Sequence, residues 1–240
     1  MLKRSILASV LLLIFLCGMV GCKEQTAEMG RLSGDQVIMA DGRSVAVSLT
    51  DKGNQWDTYA DENGYAYGID EQGILVYYNA IAIKPHSKEK ITEEQAKAIA
   101  FKHMVETYGK KFLNGYTLTE CSDRGTDYSL YYHKLYGEEQ MIKGEMCHVN
   151  VDYFGKVETS SIARKTFKDF DETLLNGITE ETLTEYARAQ GTAQNPNSTF
   201  TGLGDVYLHK SDTGYALQLI VEMENPAGWC DHTECYYPLQ

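Results

Sequence analysis

The phrase "ITEEQAKAIA" at 91–100 returns as "ITEETLTEYA" at 178–187, and these two helix starts constrain the fold more than any other feature of the chain. In each, a threonine (Thr92, Thr179) stands where its hydroxyl can accept from the unpaired amides of a first helical turn. Two glutamates follow it, at the positive end of the helix dipole. Gln95 can close a capping box on Thr92, and Ile178 with Leu183 can form a hydrophobic staple. Ala96, Ile99, Ala100, Met104 and Tyr108 then recur at three and four residues, as do Leu183, Tyr186 and Ala187, giving apolar stripes that pack helices onto sheets. Gly109 is the expected terminator of the first helix, and the second stripe precedes Gly191. His103 is expected to be a packed or half-exposed residue of the first stripe.

Between and around these helices the pattern is β. From Gln36 to Lys84 the runs "QVIMA", "SVAVSL", "YAYGI" and "ILVYYNAIAI" are separated by "DG", "DKGN", "DENG" and "DEQG". Asp and Asn open such turns by bonding their own backbone, and Gly takes the positive φ that follows. The same acids invite comparison with a calcium loop, but "DENG" reaches its glycine two positions too soon for an EF-hand, and turn chemistry accounts for Asp61, Asn63, Asp70 and Gly73. After the first helix, "GYTLTEC", "DYSLYYHKL", "EMCHVNVD" and "GKVETSSI" read as strands, the last two joined through "DYFG". "YYHK" at 131–134 is answered by "YLHK" at 207–210. The helix starts lie 87 residues apart and the histidines 76, so the second unit is read as a duplicate shortened by 11 residues. The expected fold class is α+β: antiparallel sheets each packed by a helix, in two related helix-plus-sheet units after an N-terminal β meander. The expected divisions are 1–21, 22–35, 36–88, 89–167 and 168–240.

"MLKRSILASVLLLIFLCGMVGC" carries Lys3 and Arg4, then an apolar run from Ile6 to Leu16, then small residues before a cysteine. That order is a secretory signal, and the run is short of the roughly 20 apolar residues a membrane span needs. "MVGC" resembles the lipobox of bacterial lipoproteins, with Met19 in place of the usual Leu. The resemblance implies that Cys22 is lipidated and becomes the first residue of a chain tethered by 22–35 and held outside the cytoplasm at the membrane. The chain has 22 basic and 34 acidic residues; residues 1–21 hold two of the former and none of the latter, so the remainder carries net −14. Such a charge excludes nucleic acid and an anionic bilayer as electrostatic partners, leaving lipid as the membrane attachment.

Outside the cytoplasm, an even number of cysteines points to disulfides. Four remain after Cys22, and they allow three connectivities; the favoured scheme joins Cys121 to Cys147 and, across "CDHTEC", Cys230 to Cys235. The alternative is a metal or catalytic cluster built on Cys230, Asp231, His232, Glu234 and Cys235, which lacks the second distant ligand pair of zinc sites. No metal or other cofactor is expected. The chain holds no G-x-S-x-G elbow, H-E-x-x-H pair, P-loop or Rossmann glycine pattern. Its 17 tyrosines include the pairs Tyr77/Tyr78, Tyr131/Tyr132 and Tyr236/Tyr237. Successive strand residues face opposite ways, so one tyrosine of each pair is expected inside and the other available; Tyr131, Tyr132, Tyr236 and Tyr237 are the candidate partner-binding residues.

"ITEEQAKAIAFKHM" followed by "HVNVDYFGKVETSSIARK" is similar to PepSY-type domains of protease propeptides and envelope lipoproteins. Ile91, Thr92, Glu94, Ala96, Ile99 and Ala100 match the helix of that family, and Val149, Val151, Asp152, Gly155 and Val157 its closing hairpin. The resemblance spans residues 91 to about 165 and implies a non-catalytic module that binds a polypeptide, with restraint of a secreted peptidase as one use. An envelope enzyme using the C-terminal cluster and a purely structural envelope component are the other function classes.

Overall fold

A computed structural model of the chain describes residues 29–84, 89–163, 167, 169–212 and 214–239. Residues 1–21 and Cys22 lie outside these, so the signal and lipidation expectations do too. Among the described residues no helix is long and apolar enough to cross a membrane.

Strands β1 (Arg31–Ser33), β2 (Gln36–Ile38) and β3 (Ser44–Ala46) form a three-stranded antiparallel sheet. The meander β4 (Ser48–Lys52), β5 (Asp57–Ala60), β6 (Ala66–Ile69) and β7 (Leu75–Asn79) precedes helix α1 (Glu93–Tyr108). After α1 come β8 (Tyr116–Asp123), β9 (Asp127–Tyr136), β10 (Ile142–Asp152) and β11 (Val157–Ile162). A short 3-10 helix (Glu172–Leu175) leads to α2 (Glu180–Gln194), then β12 (Thr199–Ser211), β13 (Gly214–Glu224) and β14 (Cys230–Pro238).

Local chemistry sets these boundaries. Thr92 Oγ1 accepts from the Gln95 amide at 3.3 Å while Gln95 Oε1 accepts from the Thr92 amide at 2.8 Å, closing the capping box. Thr179 accepts from the Thr182 amide at 3.2 Å. α1 stops at Gly109, but α2 runs through Gly191 to Gln194. Gly191 is there for packing: a β-carbon on it would stand 2.8 Å from Val221 Cγ1. Three hairpins share one turn. Asp61, Asp70 and Asp152 each accept two backbone amides on Oδ1, from the residues two and four positions on, and Gly64, Gly73 and Gly155 follow with φ of 86°, 76° and 84°.

The α+β expectation of separate sheets is corrected. The chain is mostly β, with 48% strand against 17% helix, and eleven strands belong to one mixed sheet. Two non-local pairings cause this, and neither leaves a local sequence signal. β7 pairs with β11 through Tyr77–Asn79 and Thr159–Ser161, joining the N-terminal meander to the first helix-plus-sheet unit. β10 gives one edge to β9 and divides the other: Cys147–Val151 pair antiparallel with β11, and Ile142 and Lys143 pair parallel with β12. "SVAVSL", read as one strand, breaks at Val47 into β3 and β4 of different sheets.

A helix lying on a three-strand antiparallel meander occurs twice. α1 packs on β9, β10 and β11, and α2 packs on β12, β13 and β14. His133 and His209 lie late in the first strand of each meander, and β8 has no counterpart in the second. Two apolar clusters result. The first gathers Leu75, Ala96, Met104, Tyr108, Leu130 and Val149. The second gathers Leu183, Ala187, Leu217, Leu219 and Val221, and draws Tyr136 and Ile142 from the far end of the β9–β10 hairpin.

Candidate functional site: the open face of the sheet

Side chains opposite one another on paired strands share a face. Cys121, Leu130, Val149, Ser160, Tyr78 and Tyr67 form a row under α1, where Ser160 Oγ bonds both His103 Nε2 and the Tyr108 hydroxyl at 2.8 Å. Their neighbours form the opposite row: Glu120, Tyr131, His148, Ser161, Tyr77 and Gly68, on six successive strands. No described helix packs on this second face, and Tyr131, His148, Ser161 and Tyr77 are each half-buried.

The row is held by ring stacking and hydrogen bonds. Tyr131 stacks on His148 with centroids 4.4 Å apart, and Tyr77 stacks on Trp56 at 5.3 Å. Gly68 makes room for the second stack, since a β-carbon there would stand 2.7 Å from Trp56 Cδ1. Beside this stack a cleft of about 850 Å³ is lined by Trp56, Ile69, Val76, Met146 and Ser161 among others. The face continues into the second meander: His133 meets Tyr207 edge-on at 6.2 Å, Tyr207 pairs with Gln218, and Gln218 with Tyr236.

Two Ser–His contacts deserve a chemical reading. Arg124 donates to Ser129 Oγ at 2.7 Å, and the same oxygen shares a hydrogen bond with His148 Nε2 at 2.8 Å. Burial first, and the Arg124 charge second, lower the His148 pKa; the largest opposing effect is the Asn150 side chain. Ser129 and Ser160 are each 1% exposed, so both serine–histidine contacts lie beneath the surface of the sheet. The face presents the Tyr131 and Tyr77 rings, the polar His148 and Ser161 side chains and, at its β8 end, the carboxylate of Glu120.

The tyrosine pairs split by face. Tyr131 lies on the open face, whereas Tyr132 is 5% exposed beneath α1, donates to the Lys97 carbonyl at 3.5 Å and has its pKa pushed up to about 12 by burial. Tyr236 is 46% exposed on the open face, and Tyr237 turns to Tyr186 of α2 at 5.1 Å. Sequence reasoning passed over His148, Trp56 and Tyr207. The period-two alternation of "EMCHVNVD" puts His148 on the face opposite Cys147 and Val149.

The disulfide scheme is corrected: Cys121, Cys147, Cys230 and Cys235 are free thiols. Cys121 on β8 and Cys147 on β10 are separated by the whole of β9, roughly two inter-strand spacings or about 10 Å, beyond disulfide reach. "CDHTEC" is not a loop but the first part of β14, so Cys230 and Cys235 stand about 17 Å apart on opposite faces, the first exposed and the second buried. The same extension spreads Asp231, His232 and Glu234 over both faces, and no group of three or more metal-ligating side chains occurs among the described residues.

No family model matches this chain, and no curated protein matches it at a significant level. Among solved structures it aligns with the Bacillus megaterium YpeB C-terminal domain, over 86% of this chain and 92% of that one, at 10% identity and a TM-score of 0.39. A likeness of that size assigns neither family nor activity.

Proposed function

We propose that this chain is a non-catalytic, PepSY-like polypeptide-binding module, held outside the cytoplasm by lipid on Cys22. The observation that carries the reading is the open sheet face, where Tyr131, His148, Ser161 and Tyr77 form a half-exposed row while α1 covers the other side. Aromatic rings held by stacking lose little side-chain entropy on contact, which favours them at protein interfaces. The partner class is an extracytoplasmic polypeptide, and a secreted peptidase restrained by the module is its most specific form. Lipid supplies the attachment, at about 0.8 kcal/mol per buried methylene, provided more than one acyl chain is present.

The test uses the full chain expressed in intact envelopes. Crosslinking and affinity recovery should yield a polypeptide partner that is lost in a Tyr77→Ala, Tyr131→Ala double variant, and Cys22→Ser should move the protein out of the membrane fraction. Equal recovery with the double variant would reject the face, and membrane retention of the Cys22 variant would reject the anchor.

A further inference from the structure

The halves of the large sheet meet at one short parallel contact, Ile142 beside Val206 and Lys143 beside Tyr207. His133 of β9, 5% exposed, packs edge-on against Tyr207 at this junction. Thr119 donates its hydroxyl proton to the Tyr131 carbonyl at 3.2 Å, so its oxygen accepts from His133 Nδ1 at 2.7 Å. That network assigns the proton to Nδ1 and leaves Nε2 as the basic nitrogen. The charged and titratable groups facing the ring are Glu120 from β8, Lys143 from β10, and Asp205 and Tyr207 from β12. Lys143 Nζ lies 2.5 Å from Asp205 Oδ1, and Tyr207 donates to Asp205 Oδ2 at 2.9 Å. Lys143 and Asp205 therefore largely neutralise each other, and Glu120 is the remaining charged group that faces the buried imidazole.

We propose that His133 is the acid-sensing part of a latch between the two halves: neutral, it lets Tyr207 and β12 close on β10, and protonated, it opens this contact while the first core stays folded. The geometry supports a local opening because the junction is only two residue pairs long and none of its residues belongs to the first core, although Ile142 and Val206 are members of the second. Tyr136, seated in the second core, keeps the halves joined. Burial first, and Lys143 second, hold the His133 pKa down to about 4 against the opposing pull of Asp205 and Glu120. An opened junction returns the imidazole toward its ordinary pKa near 6.5. Protons then bind the open form preferentially, and the open-to-closed ratio rises about tenfold between pH 7.5 and 5.5. The latch lies within the face proposed for polypeptide binding, yet its opening does not depend on that reading.

Peptide-resolved hydrogen exchange on the soluble chain from Lys23, corrected for the intrinsic pH dependence of exchange, tests it. The expected result is about tenfold faster exchange at 142–143 and 205–207 at pH 5.5 than at pH 7.5, with the Leu130 and Val149 segments of the first core unchanged, and no such response in His133→Gln. An equal response in the Leu130 and Val149 segments of the first core, or one that persists in His133→Gln, overturns the latch. Should that variant not fold, NMR titration of the unaltered chain decides. The junction signals must titrate with the His133 imidazole, and signals that follow another histidine overturn the proposal.

Discussion

The Tyr136 ring lies over Gly144, across the β9–β10 hairpin, and a β-carbon at 144 would overlap that ring. The pair sits where the β9–β10 register shifts between Lys143 and Met146, at the passage of one hairpin from the first core to the second. Tyr136 also donates to Glu145 Oε2 at 2.7 Å and meets Phe170 edge-on at 5.8 Å. Gly144→Ala should therefore cost about 2 kcal/mol through overpacking. Urea unfolding checks this, and Tyr136→Leu added to the alanine variant should recover part of the loss. An unchanged midpoint in Gly144→Ala would show that the ring has room to move.

Lys156 ties the β10–β11 hairpin to the segment leaving β7. Its ammonium, 10% exposed, donates to the carbonyls of Ala80, Ile81 and Ile83 at 3.3, 3.4 and 2.7 Å, with Glu158 at 3.4 Å. Lys156→Met keeps most of the stem but leaves three carbonyls without this donor. A loss of about 2–3 kcal/mol is expected, with faster proteolysis near 80–84 than elsewhere.

Between pH 6.5 and 4 the fold should lose stability through His103. Burial of its ring, tilted against Tyr78 and bonded to Ser160, pushes its pKa down to about 4. The unfolded imidazole, with a pKa near 6.5, then holds more protons than the folded one throughout this window, so stability is full above it and falls as pH drops through it. The loss is bounded at about 3 kcal/mol. His103→Gln should flatten the part of the stability profile that His103 supplies; an equally steep profile in the variant would assign the acid sensitivity elsewhere.

Thiol reactivity should follow the geometry. Cys230 is exposed, Cys121 intermediate, and Cys147 and Cys235 buried; burial raises the thiol pKa of Cys121, Cys235 and, most strongly, Cys147. In the native soluble chain, a thiol reagent should modify Cys230 first and Cys147 last, and unfolding without reductant should free all four. Two unreactive pairs after unfolding would restore the disulfide scheme.

What was legible in the sequence was local. Thr92 with Gln95, Thr179, and the Asp-x-x-Gly turns at 61, 70 and 152 each complete their hydrogen bonds within four residues, and a one-dimensional reading finds them. The tyrosine alternation was legible for the same reason, since strand geometry alone separates Tyr131 from Tyr132. The branching of β10 was not, because the partners of Ile142 and Cys147 lie some 64 and 15 residues away along the chain. The cysteine scheme failed on the same point: compartment chemistry favours pairing, while β9 stands between Cys121 and Cys147. His148 acquires meaning only when Tyr131 and Ser161 are set on either side of it, a relation made entirely by strand register.

The most direct test of polypeptide recognition on the open face is site-specific photocrosslinking in intact envelopes. A photoreactive residue replaces Tyr131 in one variant and Phe101, 52% exposed on α1, in another. The open-face account predicts a discrete polypeptide adduct from position 131 and none from 101. Adducts from 101 alone, or no polypeptide adduct from 131, would contradict it.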